Sequence, residues 1–272
     1  MSDLPADPTP DAPPETALPV DPGLALINAY RAAAGAPPAA LHGALMSSAT
    51  GQVQYYDLNR GDPSLAGMGL HQQQPGRPGF TGATMGDRAR NAGYAGGSVT
   101  ENAGFGTIQT AIEWAIGTVN HRLPLIHPNA VDMGYAVSGG PGANGFNIVD
   151  VGLRRERLSI ALPSVFPGDG TWDVPTSWDG GEAPDPAPGV PRPLGYPITV
   201  AFGVMQRVEW KELLLFAPGW EPLAVSTPLT DWMRAAAIIP HGPLQCGTTY
   251  TAHVSAVVDG RPVVRDWQFT TR

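Results

Sequence analysis

Thr107-Ile108-Gln109-Thr110-Ala111-Ile112-Glu113-Trp114-Ala115-Ile116-Gly117-Thr118-Val119-Asn120-His121-Arg122 is the stretch on which the fold turns. Ile108, Ala111, Ile112, Ala115, Ile116 and Val119 recur three or four apart, the spacing of one face of an α-helix. This predicts a helix over residues 107–120, the strongest in the chain, with Trp114, Thr118 and His121 on a common face beside the apolar stripe. A helix that buries Trp114 would carry His121 to the edge of the same cavity. Just upstream, Val99-Thr100-Glu101-Asn102-Ala103-Gly104 sets a carboxylate ahead of the helix, where capping or orienting a loop is its plainest role.

Toward the N-terminus, Asp21 can cap a helix whose first turn takes Pro22 and which Gly35 and Pro37-Pro38 stop. A second helix is expected over residues 41–58. A Gly/Pro/Gln-rich loop follows over residues 61–82, carrying His71 and Phe80, and a short helix near residues 87–91 that Gly93 can end. Beyond the central helix, residues 133–138 and 146–153 read as strands. Helices with a few strands indicate an α+β layered domain.

The texture then changes, because nine prolines fall between Pro163 and Pro197. A boundary is expected near residues 159–167. Short strand-like runs follow at 198–202, 212–216, 223–226, 235–239, 249–258 and 267–271. In residues 249–258 Tyr250, Ala252, Val254, Ala256 and Val258 alternate with Thr251, His253 and Ser255, the period of a half-buried strand. Such runs between turn signals point to an all-β sandwich. The expected division is an acidic, proline-rich tether over residues 1–22, an α+β domain over 23–158 and a β-sandwich over 159–272.

Composition removes several function classes. The chain has 272 residues with a net charge of −8, so the basic stripe that a nucleic-acid backbone requires is missing, and no nucleic-acid partner is expected. Cys246 is the single cysteine, which leaves no intrachain disulfide or multi-cysteine metal site. No apolar run reaches the length of a spanning helix, and residues 1–5 lack the basic and apolar regions of a secretory signal. There is no Gly-x-Ser-x-Gly elbow, His-Glu-x-x-His helix, phosphate-binding loop or alternating-acid calcium loop. Lys211 is the only lysine and lies in the expected sandwich, so Schiff-base chemistry is not expected.

The candidate ionisable groups in the first half include His42, His71, Glu101, Glu113, His121 and His127. His42 reads as a polar group at a helix start, and His127, in Ile126-His127-Pro128-Asn129, as a solvated or backbone-bonded turn residue. His253 points away from the expected core, and His241 is a loop residue. The tryptophans of the second half read as core and edge packing, and Cys246 as a turn thiol.

Asn28-Ala29-Tyr30-Arg31 with Gly35, then Arg88 with Gly93-Tyr94, Glu101-Asn102, Trp114 with Asn120-His121-Arg122, and Met133-Gly134-Tyr135 follow one another in the order of bacterial CAP (SCP-like) domains. The chain resembles that family, the relatives of cysteine-rich secretory proteins, insect antigen 5 and plant pathogenesis-related proteins, over about residues 23–155. The resemblance implies an α-β-α sandwich with a cleft lined by histidines and acids. It assigns Glu101 as the acid, with Asn102 beside it, His121 as one histidine and His71 as the other. Thr100 stands where the family has glycine, and Gly117-Thr118 where a second glutamate is expected. In the second half, Phe166-Pro167-x-Asp169-Gly170, Ile239-Pro240, Gly247-Thr248-Thr249-Tyr250 and Trp267-x-Phe269-Thr270-Thr271 resemble bacterial Ig-like domains, modules that space or attach.

Two expectations follow. The first is a monomeric extracellular or cell-surface binding module whose cleft takes a small apolar ligand, lipid, peptide or cell-wall component. The alternative is metal-assisted hydrolysis, with His71 and His121 holding a divalent ion such as Zn2+ and Glu101 completing a catalytic set.

Overall fold

The computed structural model describes residues 21–158 and 163–272. All of the tether except Asp21 and Pro22, and part of the expected boundary, lie outside these residues.

In the first half, α1 (Pro22–Ala34) begins where the Asp21 carboxylate accepts the N–H groups of Gly23 and Leu24 and ends at Gly35, whose φ of 72° is left-handed. β1 (Ala40–Leu41) precedes α2 (Gly43–Leu58), so α2 starts later than the sequence suggests, and the His42 imidazole caps it by accepting from the Ala44 N–H. A 3-10 turn (Gly67–His71) leads to α3 (Met85–Asn91), where Thr84 and Asp87 form a reciprocal capping box. Next come β2 (Gly97–Gly106), α4 (Ile108–Ile116), α5 (Arg122–Ile126), β3 (Ala130–Val137) and β4 (Gly145–Arg154).

These strands pair in the order β1-β3-β4-β2, with β1 parallel to β3 and the other pairs antiparallel. β4 is buried along almost its whole length, as a strand covered on both faces must be. Helices α2 and α3 cover one face and α1, α4 and α5 the other, which gives the expected α-β-α layering. Gly134 sets the closest approach: a Cβ there would lie 2.2 Å from the Leu45 carbonyl carbon and 2.4 Å from the Met46 nitrogen, so α2 sits directly on β3. Asn28 holds the turn after α1, exchanging two hydrogen bonds with the Ala39 backbone (2.7 and 3.0 Å).

Two expectations change here. Residues 97–106 are a strand rather than a capping loop, and Glu101 is on it. The central helix stops at Ile116 instead of Asn120, because the N–H groups of Val119, Asn120 and His121 go to a carboxylate from the second half and not to carbonyls one turn back.

The second half runs β5 (Ser164–Phe166), β6 (Thr171–Val174), β7 (Ser177–Trp178), β8 (Leu194–Gly195), β9 (Ile198–Ala201), β10 (Val208–Ala217), β11 (Glu221–Pro222), β12 (Val225–Ser226), β13 (Leu229–Thr230), β14 (Ala235–Pro240), β15 (Thr249–Val258) and β16 (Arg261–Thr271). One sheet has the order β11-β10-β15-β16-β6; the other has β12-β14-β9-β5, with β13 also on β14. β15 has the expected alternation, its even-numbered residues buried. β9 and β14 are buried at every residue, which marks a sheet covered on both faces.

One continuous apolar core joins the halves, from Ile27, Ile112 and Leu125 through Val165 and Phe166 to Ile198, Val254 and Trp267. Buried polar bonds stitch the same seam. Arg122 donates to the carbonyls of Ile116 and Pro197 (both 2.6 Å), and its guanidinium lies 4.9 Å from the ring centres of both Phe166 and Tyr196. The fully buried His127 reaches the Met233 carbonyl at 2.7 Å through Nε2 and accepts the Asn129 N–H through Nδ1. His127 is therefore a backbone-bonded seam residue, not a solvated one. Trp178 and Trp267 are buried, whereas Trp172, Trp220 and Trp232 are exposed, so packing accounts for only part of the tryptophan set. Among the described residues, no helix is long and apolar enough to cross a membrane.

Candidate functional site

Consecutive residues of a strand point to opposite faces, and β2 uses this to divide the expected site. The side chain of Glu101, fully buried, joins the α2–α3 layer. One of its oxygens meets His71 Nδ1 at 2.9 Å, and the other accepts a short bond from the buried Arg88 of α3. Arg88 also donates to the His71 carbonyl at 3.1 Å, so helix, turn and strand are tied at one point. Asp150 is Glu101's cross-strand partner on β4. Burial, reinforced by the neighbouring Glu101 charge, pushes its carboxyl well above the usual carboxylate range.

Asn102 joins the opposite layer, donating from Nδ2 to the His121 carbonyl at 2.9 Å. The His121 ring lies 4.6 Å from the ring of Trp114. Sequence spacing brings this pair together as expected, but Trp114 is 50% exposed rather than buried. His121 Nδ1 is 2.8 Å from Oε1 of Glu182. Burial alone would raise the Glu182 carboxyl, but the bonds from His121 and from the N–H groups of Val119 and Asn120 outweigh it and hold the group below its ordinary value.

The expected set of His71, Glu101 and His121 therefore resolves into two separate imidazole–carboxylate pairs, His71–Glu101 and His121–Glu182. Both rings keep an edge in solvent, with side-chain exposures of 15% and 21%. Glu101 has no oxygen left for a shared His–Glu–His metal centre, since His71 and Arg88 engage both, whereas each imidazole gives only Nδ1 to its carboxylate and keeps Nε2. Among the described residues, no three His, Cys, Asp or Glu side chains are grouped to hold a metal ion.

A hollow of about 300 Å³ runs along the edge strand β2 beneath α4. Asn102, Phe105, Ala111, Trp114, Leu125 and Val149 are among its lining residues. Of the four expected cleft residues, Asn102 alone lines it; His121 stands behind its Trp114 wall, and His71 follows the lining residue Leu70. Larger concavities beside Asp21, Ile108 and Tyr135 touch none of the expected site residues.

Sequence reading missed Glu182 as a site residue. Its one local signal is a lone glutamate in Gly180-Gly181-Glu182-Ala183-Pro184, and nothing in that segment announces a contact 61 residues away.

No curated protein matches the chain. Among solved structures, CopC from Methylosinus trichosporium OB3b matches at 12% identity with a TM-score of 0.29, covering 41% of this chain and 93% of that one. The family model described as the cysteine-rich secretory protein family, CAP, matches residues 24–150. The matched residues span the layered half that holds β2, α4 and both imidazoles of the site.

Proposed function

We propose that this chain is a binding module, and that the hollow along β2 takes a small apolar molecule or the apolar part of a lipid or peptide. The observation that carries the reading is the lining itself. Phe105, Ala111, Trp114, Leu125 and Val149 offer apolar surface, and the Asn102 and Asn147 amides supply polar atoms without charge. Pockets of this size and character hold small ligands by apolar burial, with a few polar groups setting orientation. An extracellular or cell-surface setting, with an Ig-like second half that spaces or docks the binding half, fits this reading. Binding is preferred over metal-assisted hydrolysis because both Glu101 oxygens are committed, to His71 and Arg88, and no three ligand side chains are grouped among the described residues.

The test is fluorescence titration with aminoanthracene, a neutral fused-ring probe. Wild-type protein should bind it saturably at about micromolar concentration, and Ala111→Trp, which fills the hollow, should weaken binding at least ~10-fold. Equal affinity in the two proteins would refute the assignment of the hollow.

A further inference from the structure

The carboxylate of Glu182 is fully buried, comes from the second half of the chain and ends on the turn between α4 and α5. Its Oε2 accepts the Val119 N–H at 2.7 Å. Its Oε1 accepts the Asn120 N–H at 2.7 Å and the His121 N–H at 3.3 Å, and meets His121 Nδ1 at 2.8 Å. Two residues on, the Pro184 carbonyl accepts from the Asn120 side chain at 3.0 Å. Four donors thus converge on two oxygens. An ionised carboxylate has acceptors only, so it satisfies all four; a glutamine in its place would set an NH2 group against at least one N–H. The same logic fixes the ring: with an acceptor-only partner, Nδ1 carries the proton and the neutral imidazole keeps its lone pair on Nε2.

We infer that Glu182 is a positioning residue for the hollow in the first half: it locks the orientation and tautomer of His121, which backs the Trp114 wall. Through this contact the second half is a working part of the binding site as well as a neighbour. The effect on ligand binding rests on the proposed role of the hollow; the effect on the ring does not.

The experiment uses the full chain as wild type, Glu182→Gln and Ala111→Trp. Ring-nitrogen chemical shifts of His121, assigned with a His121→Asn variant, are recorded at about pH 8, where an ordinary imidazole is neutral. Aminoanthracene is titrated in parallel. Wild type should show the Nδ1–H tautomer; Glu182→Gln should move the ring toward Nε2–H and weaken the probe by roughly three- to tenfold. A Glu182→Asp variant, which keeps an acceptor-only group on a shorter arm, should restore part of both. A wild-type ring in the Nε2–H tautomer overturns the inference, and this reading needs no variant to fold. An unchanged tautomer and affinity in Glu182→Gln overturn it as well. If Ala111→Trp binds the probe as wild type does, the role of the hollow fails, and the ring shifts still decide the role of Glu182.

Discussion

At the scale of the residue, the decisive side chains are buried charges with dedicated partners. Arg88 and Glu101 neutralise each other in the layer between β2 and α3. Arg88→Met leaves Glu101 buried without its cation and should cost about 3–5 kcal/mol in chemical denaturation. Asp150 stands beside them with its carboxyl pushed upward. Above the ordinary carboxylate pKa the unfolded chain releases this proton while the fold retains it, so the residue costs stability as pH rises toward its folded value. Asp150→Asn should therefore gain stability relative to wild type as pH rises above about 4, read by urea unfolding across a pH series. His127 behaves in the opposite sense, since burial and the nearby Arg31 charge lower it to about 4. Its contribution is complete above the ordinary histidine value of about 6.5 and is lost as pH falls to about 4, a change of about 3 kcal/mol that His127→Gln should abolish. The sequence identifies Glu101, His71 and His121 as the groups to watch, but not their partners. Partner choice depends on which strand face each residue takes, and residue identity alone does not carry that.

Among the elements, helix starts were legible to within two residues because caps are local: Asp21 at α1 and His42 at α2 sit where their side chains can take the first N–H groups, although the sequence places the start of α2 at residue 41. Strand β2 was not legible, because Gly97, Gly104 and Gly106 hide its period and its pairing with β4 is supplied from 39 to 57 residues away. The end of α4 was hidden for the same reason, since the group that draws off the next N–H donors is Glu182. Packing between elements is equally specific at Gly134. Gly134→Ala would drive a methyl group into the α2 backbone and should destabilise the protein by about 2–3 kcal/mol in thermal or urea unfolding, whereas Gly43→Ala, which meets nothing within 4 Å, should be close to neutral.

Across the whole molecule, a shift in composition marks two halves, while the structure gives them one core with Arg122, His127 and Glu182 buried in the seam. A shared core of this kind should unfold as a unit. Calorimetry should show one transition whose calorimetric and van't Hoff enthalpies agree, and two resolved transitions would mean that the seam is weaker than its buried bonds imply. The same unity makes the binding proposal a property of the full chain: the hollow belongs to β2 and α4, and its outer wall rests on a residue of the second half. The most direct measurement is a crystal structure of the full chain soaked with aminoanthracene. The account predicts a fused-ring density between Asn102 and Trp114 under α4, with His121 still bonded to Glu182. Probe density confined to other surfaces, with the hollow along β2 filled only by water, would contradict it.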